Sequence, residues 1–191
     1  MVQVIARTLI NKKWRVCFWL LALGMLNACS SPNVALYAKN KPEFKLQQFF
    51  NGPLTAHGIV KNRSGEVIRY FNADLVGSWS NGVGTLKEHF LFNDGEKQQR
   101  TWTLTPTKNG KYESSAGDVV GKGSLNMAGN ALFMKYVLQV PYDGDVINVN
   151  VDDRMYMVNP NVVINESVLS KFGFDVGYLT LVIEKRASPE S

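Results

Sequence analysis

The segment Leu132-Phe133-Met134-Lys135-Tyr136-Val137-Leu138-Gln139-Val140-Pro141-Tyr142-Asp143-Gly144-Asp145-Val146-Ile147-Asn148-Val149-Asn150-Val151-Asp152-Asp153-Arg154-Met155 decides the fold class. Its period is two on both sides of an Asp-Gly pair, the signature of a half-buried β-hairpin. Leu132, Met134, Tyr136, Leu138 and Val140 share one face of the first arm. Ile147, Val149, Val151, Asp153 and Met155 share one face of the second. Asp143-Gly144 is a favoured two-residue type I′ turn. Matching the apolar faces across it sets Val151 opposite Tyr136 and Asp153 opposite Met134.

A second hairpin can be registered the same way. Leu86, Glu88, Phe90 and Phe92 share a face, as do Arg100, Trp102 and Leu104. Matching them needs an odd loop, and Asn93-Asp94-Gly95 supplies one with glycine in the left-handed position. Phe90 then pairs with Gln98, Glu88 with Arg100, and Leu86 with Trp102.

Outward from these hairpins, strand-like runs lie near 54–60, 66–77, 83–92, 96–106, 111–116, 121–126, 131–140, 146–158, 161–168 and 174–185. Gly, Asn, Asp and Pro separate them. No long amphipathic helix intervenes, which argues against parallel βαβ units. The expectation is an all-β domain: an antiparallel up-and-down barrel or strongly curled sheet of about ten strands. Residues 42–50 read as a short helix ahead of it, ended by Asn51-Gly52-Pro53.

Both hairpins put charge among large apolar residues on the inward face. A buried ion costs several kcal/mol unless it is paired and hydrogen-bonded. One account makes Glu88–Arg100 a structural bridge and places Asp153 at a wet barrel mouth. The other has Glu88, Arg100, Trp102, Tyr136 and Asp153 lining a cavity and contacting a ligand. A lining of Phe90, Phe92, Met134, Leu138, Val149 and Met155 suits an acyl chain. On that account Arg100 is available to a fatty-acid carboxylate, with Glu88 competing for it.

The N-terminus carries a different message. Arg7, Lys12, Lys13 and Arg15 precede an apolar run over residues 16–26. As a helix that run spans roughly 16 Å, half of a bilayer core, so it reads as the core of a signal peptide. Leu26-Asn27-Ala28-Cys29-Ser30 follows and resembles the lipobox of bacterial lipoproteins, with cleavage between Ala28 and Cys29. The resemblance implies lipid on Cys29 and anchorage to a membrane through more than one acyl chain. Ser30 at the second mature position implies the outer membrane, periplasmic side, with the inner membrane as the alternative. The organisation read from this is 1–28 signal peptide, 29–41 lipidated tether, 42–186 one β domain and 187–191 tail.

Charge and motif content exclude several functions. The net charge of +5 is concentrated in the leader; without those four residues, 17 basic stand against 16 acidic. No nucleic-acid partner is expected from that balance. His57 and His89 lie in no metal or nucleophile–base spacing, and a single mature cysteine cannot build a thiolate zinc site. Gly121-Lys122-Gly123 lacks the rest of a phosphate loop. Adjacent Asp152 and Asp153 point to opposite faces and cannot act as a carboxylate pair. No metal, cofactor or catalytic residue is expected.

In order along the chain stand Phe49-Phe50-Asn51-Gly52, Leu86-x-Glu88-x-Phe90, Asp94-Gly95, Arg100-x-Trp102, Asp118-Val119-Val120-Gly121, Gly129-Asn130-Ala131, Asp152-Asp153 and Lys171-Phe172-Gly173. Together they resemble family 3833 of the domains of unknown function, lipoproteins of Gram-negative bacteria, over residues 45–185. That family has no established activity to carry over. Gly77-Ser78-Trp79 also resembles the Gly-x-Trp signature of lipocalins, in keeping with a calycin-like barrel. Three functions fit these features: binding a lipid or other hydrophobic ligand, a structural or assembly role with a filled core, and an enzyme acting on envelope lipids.

Overall fold

The computed structural model describes residues 32–108 and 111–186. Ala28, Cys29, the leader and the tail 187–191 lie outside the described residues.

Ten strands form one antiparallel meander: β1 (Gly52–Asn62), β2 (Val67–Ser80), β3 (Val83–Phe92), β4 (Lys97–Pro106), β5 (Tyr112–Ser115), β6 (Gly123–Ala128), β7 (Ala131–Tyr142), β8 (Asp145–Asn159), β9 (Val162–Lys171) and β10 (Phe174–Lys185). Each pairs with its sequence neighbours, and β1 pairs with β10 as well as β2. Leu54, for example, lies between Leu75 and Lys185. The sheet is therefore a closed barrel with no free edge, rather than an open curled sheet.

Both expected registers are present. Glu88 faces Arg100 and Leu86 faces Trp102 across β3–β4. Tyr136 faces Val151 and Met134 faces Asp153 across β7–β8. Asp143 and Gly144 have φ of 51° and 79°, as a type I′ turn requires. The 93–95 loop closes with Gly95 N–H donating to Phe92 O at 3.0 Å.

Alternation along each strand sorts the faces. Leu54, Ala56, Phe71, Leu75, Leu86 and Leu132 are among the buried inward residues. Their strand neighbours His57, Asp74, Lys87, His89 and Lys135 face out and are exposed or half-buried. Charge outside and hydrocarbon inside is the reverse of a membrane-spanning barrel.

One end of the barrel is plugged. The sequence places a short helix in 42–50, and a single turn forms, α1 (Leu46–Phe49). A four-residue helix is not stable alone, so packing must hold it. Phe44, Leu46, Phe49 and Phe50 are all buried, with the Phe49 and Phe50 rings edge-on at 5.0 Å. The Trp79 indole N–H donates to Phe50 O at 2.7 Å, and Lys185 Nζ donates to Gln48 O at 2.7 Å. A Cβ at Gly77 would sit 2.2 Å from Phe50 O, so only glycine lets the chain approach so closely. The Gly77-Ser78-Trp79 motif thus pins the plug to β2.

Residues 34–37, read from sequence as part of a tether, form a 3₁₀ turn that rests on the outer wall. Tyr37 packs on the outward rings of Phe133 and Tyr156, at 5.7 and 5.2 Å. These two rings stand on the neighbouring strands β7 and β8, and the pairing of the hairpin brings them together.

Candidate functional site

The barrel encloses a cavity of about 830 Å³. Leu46 and Phe50 of the plug floor it, and Val140, Pro141 and Val146 lie toward the other end. The lining is mostly aliphatic and aromatic, supplied by the inward positions of the strands. This is the size and character of a small-molecule site.

A belt of polar groups interrupts that lining at mid-height. Glu88, Arg100, Trp102, Tyr136 and Asp153 all border the cavity. The Trp102 and Tyr136 rings meet edge-to-face at 5.1 Å. Asp118, Asn165 and Ser167 complete the belt.

The structural-bridge account of Glu88–Arg100 needs correction. The two residues are cross-strand neighbours, but the guanidinium is held by Asp118. Arg100 Nε donates to Asp118 Oδ2 at 2.9 Å and Nη2 to the same oxygen at 2.6 Å. Asp118 sits in the loop after β5, which is strapped to β7: Gln139 N–H donates to Asp118 O at 2.8 Å, and Val120 N–H to Val137 O at 2.9 Å. The planar fork of arginine fits a carboxylate placed edge-on, which the loop supplies.

Glu88 is left with a hydrogen bond from Trp102 and no ion pair among the described residues. Burial raises its pKa to about 7, against the lowering influence of nearby Arg100. Asp153 likewise is not at a wet mouth; it is buried, 5 % exposed. Asn165 Nδ2 and Ser167 Oγ donate to it, the latter at 3.0 Å. Burial raises its pKa to about 6, partly offset by those two hydrogen bonds. Burial also pushes the Tyr136 phenol well up, aided by the charge of Asp153.

Sequence reasoning missed Asp118, Asn165 and Ser167. Asn165 and Ser167 carried a usable signal, since they alternate with Val163 on the inward face of β9. Asp118 stands in a motif of the family resemblance, but nothing there marks Arg100 as its partner, which depends on how a loop folds back. Arg69 was missed as well. It borders the cavity, stacked 3.8 Å over Phe92 and bonded to Asp94 at 2.9 Å and Glu96 at 2.7 Å.

Other candidate chemistry stays outside. His57 and His89 are exposed on the outer face, and Asp152 pairs with Arg154 there at 2.8 Å, away from Asp153. Lys122 of the glycine-flanked segment binds Glu113 at 2.7 Å. Among the described residues no three His, Cys, Asp or Glu side chains gather as a metal site.

A closed ten-stranded antiparallel barrel around an apolar cavity with a polar belt is the class the fold and site define. The chain belongs to the family described as Protein of unknown function (DUF3833), whose model matches residues 23–185. No curated protein matches it. Among solved structures it is similar to an S-type phycobiliprotein lyase, CPES, from Guillardia theta, at 12% identity and TM-score 0.51 over 84% of this chain and all of that one. A redesigned β-barrel, mFAP0, bound to DFHBI aligns at 14% identity and TM-score 0.38 over 72% of this chain and all of that one. The odorant-binding protein OBP1 aligns at 11% identity and TM-score 0.35, over 78% of this chain and 79% of that one. At these identities the likeness to the lyase is one of barrel fold.

Proposed function

We propose that this chain is a lipid-anchored envelope lipoprotein whose barrel holds a lipid or other hydrophobic molecule. The observation that carries the reading is the cavity of about 830 Å³, apolar over most of its lining. An interior at crystal-like packing would instead have favoured a structural role, since native cores leave few voids larger than a water molecule. Each methylene moved from water into such a lining contributes about 0.8 kcal/mol. The plug closes one end, so a ligand enters from the other, where apolar Ile68 and Val146 border the cavity and stay exposed. Anchorage rests on the lipobox at Leu26–Cys29, and outer-membrane placement on Ser30.

The test is uptake of a fluorescent alkyl probe by the purified protein and by Val151→Trp, which places an indole in the cavity wall. The reading expects uptake by the parent and clear loss in the variant. No uptake by a folded parent, or equal uptake by both, would refute it.

A further inference from the structure

We infer that the polar end of the cavity's ligand is an ammonium group, held between the carboxylates of Glu88 and Asp153, on a long apolar body. This rests on the ligand-binding reading above and names the ligand's chemical class.

The charged groups that border the cavity are two arginines and three acids: Arg69, Arg100, Glu88, Asp118 and Asp153. Each arginine is already engaged. Arg69 is bonded through Nη2 to Asp94 and Glu96, its Nε being left without a partner among the described residues, and Arg100 is forked by Asp118. Glu88 and Asp153 form no ion pair among the described residues, and feel Arg100 only from a distance. Both border the same polar belt, and the charge of Asp153 adds to the burial that raises the Glu88 pKa.

A third group points the same way. Tyr136 borders the same belt, between the influence of Asp153, Glu88 and Arg100, and its hydroxyl has no hydrogen-bond partner among the described residues. Glu88, Asp153 and the Tyr136 hydroxyl thus supply acceptors from three strands, while Arg100, the guanidinium of the belt, is held by Asp118. An ammonium brings three donors and a positive charge, and so supplies what the belt lacks. A ligand carboxylate would bring a third acceptor and a like charge into a low-dielectric space, which is the costly arrangement. Burial raises the pKa of both acids, to about 7 and about 6, so ammonium binding should release protons and strengthen as pH rises from about 6 to about 8.

The experiment titrates the purified full-length protein with hexadecylamine, palmitic acid and 1-hexadecanol, each added separately, with the bound fraction read by native mass spectrometry. At pH 7.5 hexadecylamine should bind at least about tenfold more tightly than palmitic acid, with hexadecanol between. Glu88→Gln and Asp153→Asn should each cut the advantage of the amine over the alcohol several-fold, with circular dichroism matching the parent's to show that the variants fold. Lysophosphatidylethanolamine separates the two sources of an ammonium. Binding at or above that of hexadecylamine assigns a lipid headgroup; weaker binding assigns a free amine. Palmitic acid binding as well as the amine would overturn the inference and leave the hydrophobic-ligand reading standing. Failure of all three alkyl probes would instead remove that reading, and the inference with it.

Discussion

Arg100 lies directly across the β3–β4 ladder from Glu88, yet its guanidinium turns to Asp118, 18 residues further along the chain. The loop carboxylate wins because it meets the fork edge-on and stays partly in water, whereas Glu88 is buried. That choice leaves a protonatable carboxyl inside the barrel.

Asp118→Ala should free Arg100 to turn toward Glu88. Palmitic acid binding should rise several-fold, because a cation is now available in the cavity. The stability loss should be small, about 1 kcal/mol, since the pair is partly exposed. Urea unfolding and ligand titration check the two effects. Unchanged palmitate binding would mean that Arg100 does not reach the ligand.

The buried acids should make stability fall as pH rises. A carboxyl whose folded pKa exceeds its unfolded value binds protons more tightly in the native state. For Glu88, raised from 4.5 to about 7, stability is fully present below about pH 4.5 and is lost between there and about pH 7. Glu88→Gln removes this dependence and should stabilise the protein at pH 8 by at most about 3 kcal/mol, with little gain at pH 4. Thermal unfolding of both proteins across that range is the measurement. A parallel pair of curves would contradict the buried-acid account.

The plug should fail if its seat on β2 is altered. Gly77→Ala forces a methyl group onto Phe50 O and should cost about 1–3 kcal/mol through overpacking. Trp79→Phe keeps the ring but loses the bond to Phe50 O, leaving a buried carbonyl unsatisfied, and should cost about 1–2 kcal/mol. Both should make the cavity leak a bound probe faster. Chemical denaturation and probe dissociation rates test this.

Processing should depend on Cys29. Cys29→Ala should remain as uncleaved precursor or leave the membrane fraction. Wild-type maturation and sedimentation of that variant would contradict lipid anchorage.

The architecture was legible because period-two patterning and turn residues act locally. Asp143-Gly144 and the Leu86-to-Leu104 faces were enough to set two ladders residue by residue. The same alternation put Glu88 and Asp153 inside and His89 and Asp152 outside. The ionic partners were not legible. Arg100 could be seen to need an acid, but Glu88 was the nearer choice in sequence, and Asp118 reaches it only through the folded loop. The packing role of Trp79 was hidden for a similar reason: its partner is a backbone carbonyl, which no side-chain pattern marks.

The contents of the cavity can be read directly. The protein should be purified from its own membrane and examined by native mass spectrometry, followed by organic extraction and identification of what is released. The account predicts a co-purifying apolar molecule, bound one per chain and lost in Val151→Trp. A folded protein that repeatedly carries nothing, and whose mass matches the lipidated chain alone, would contradict it.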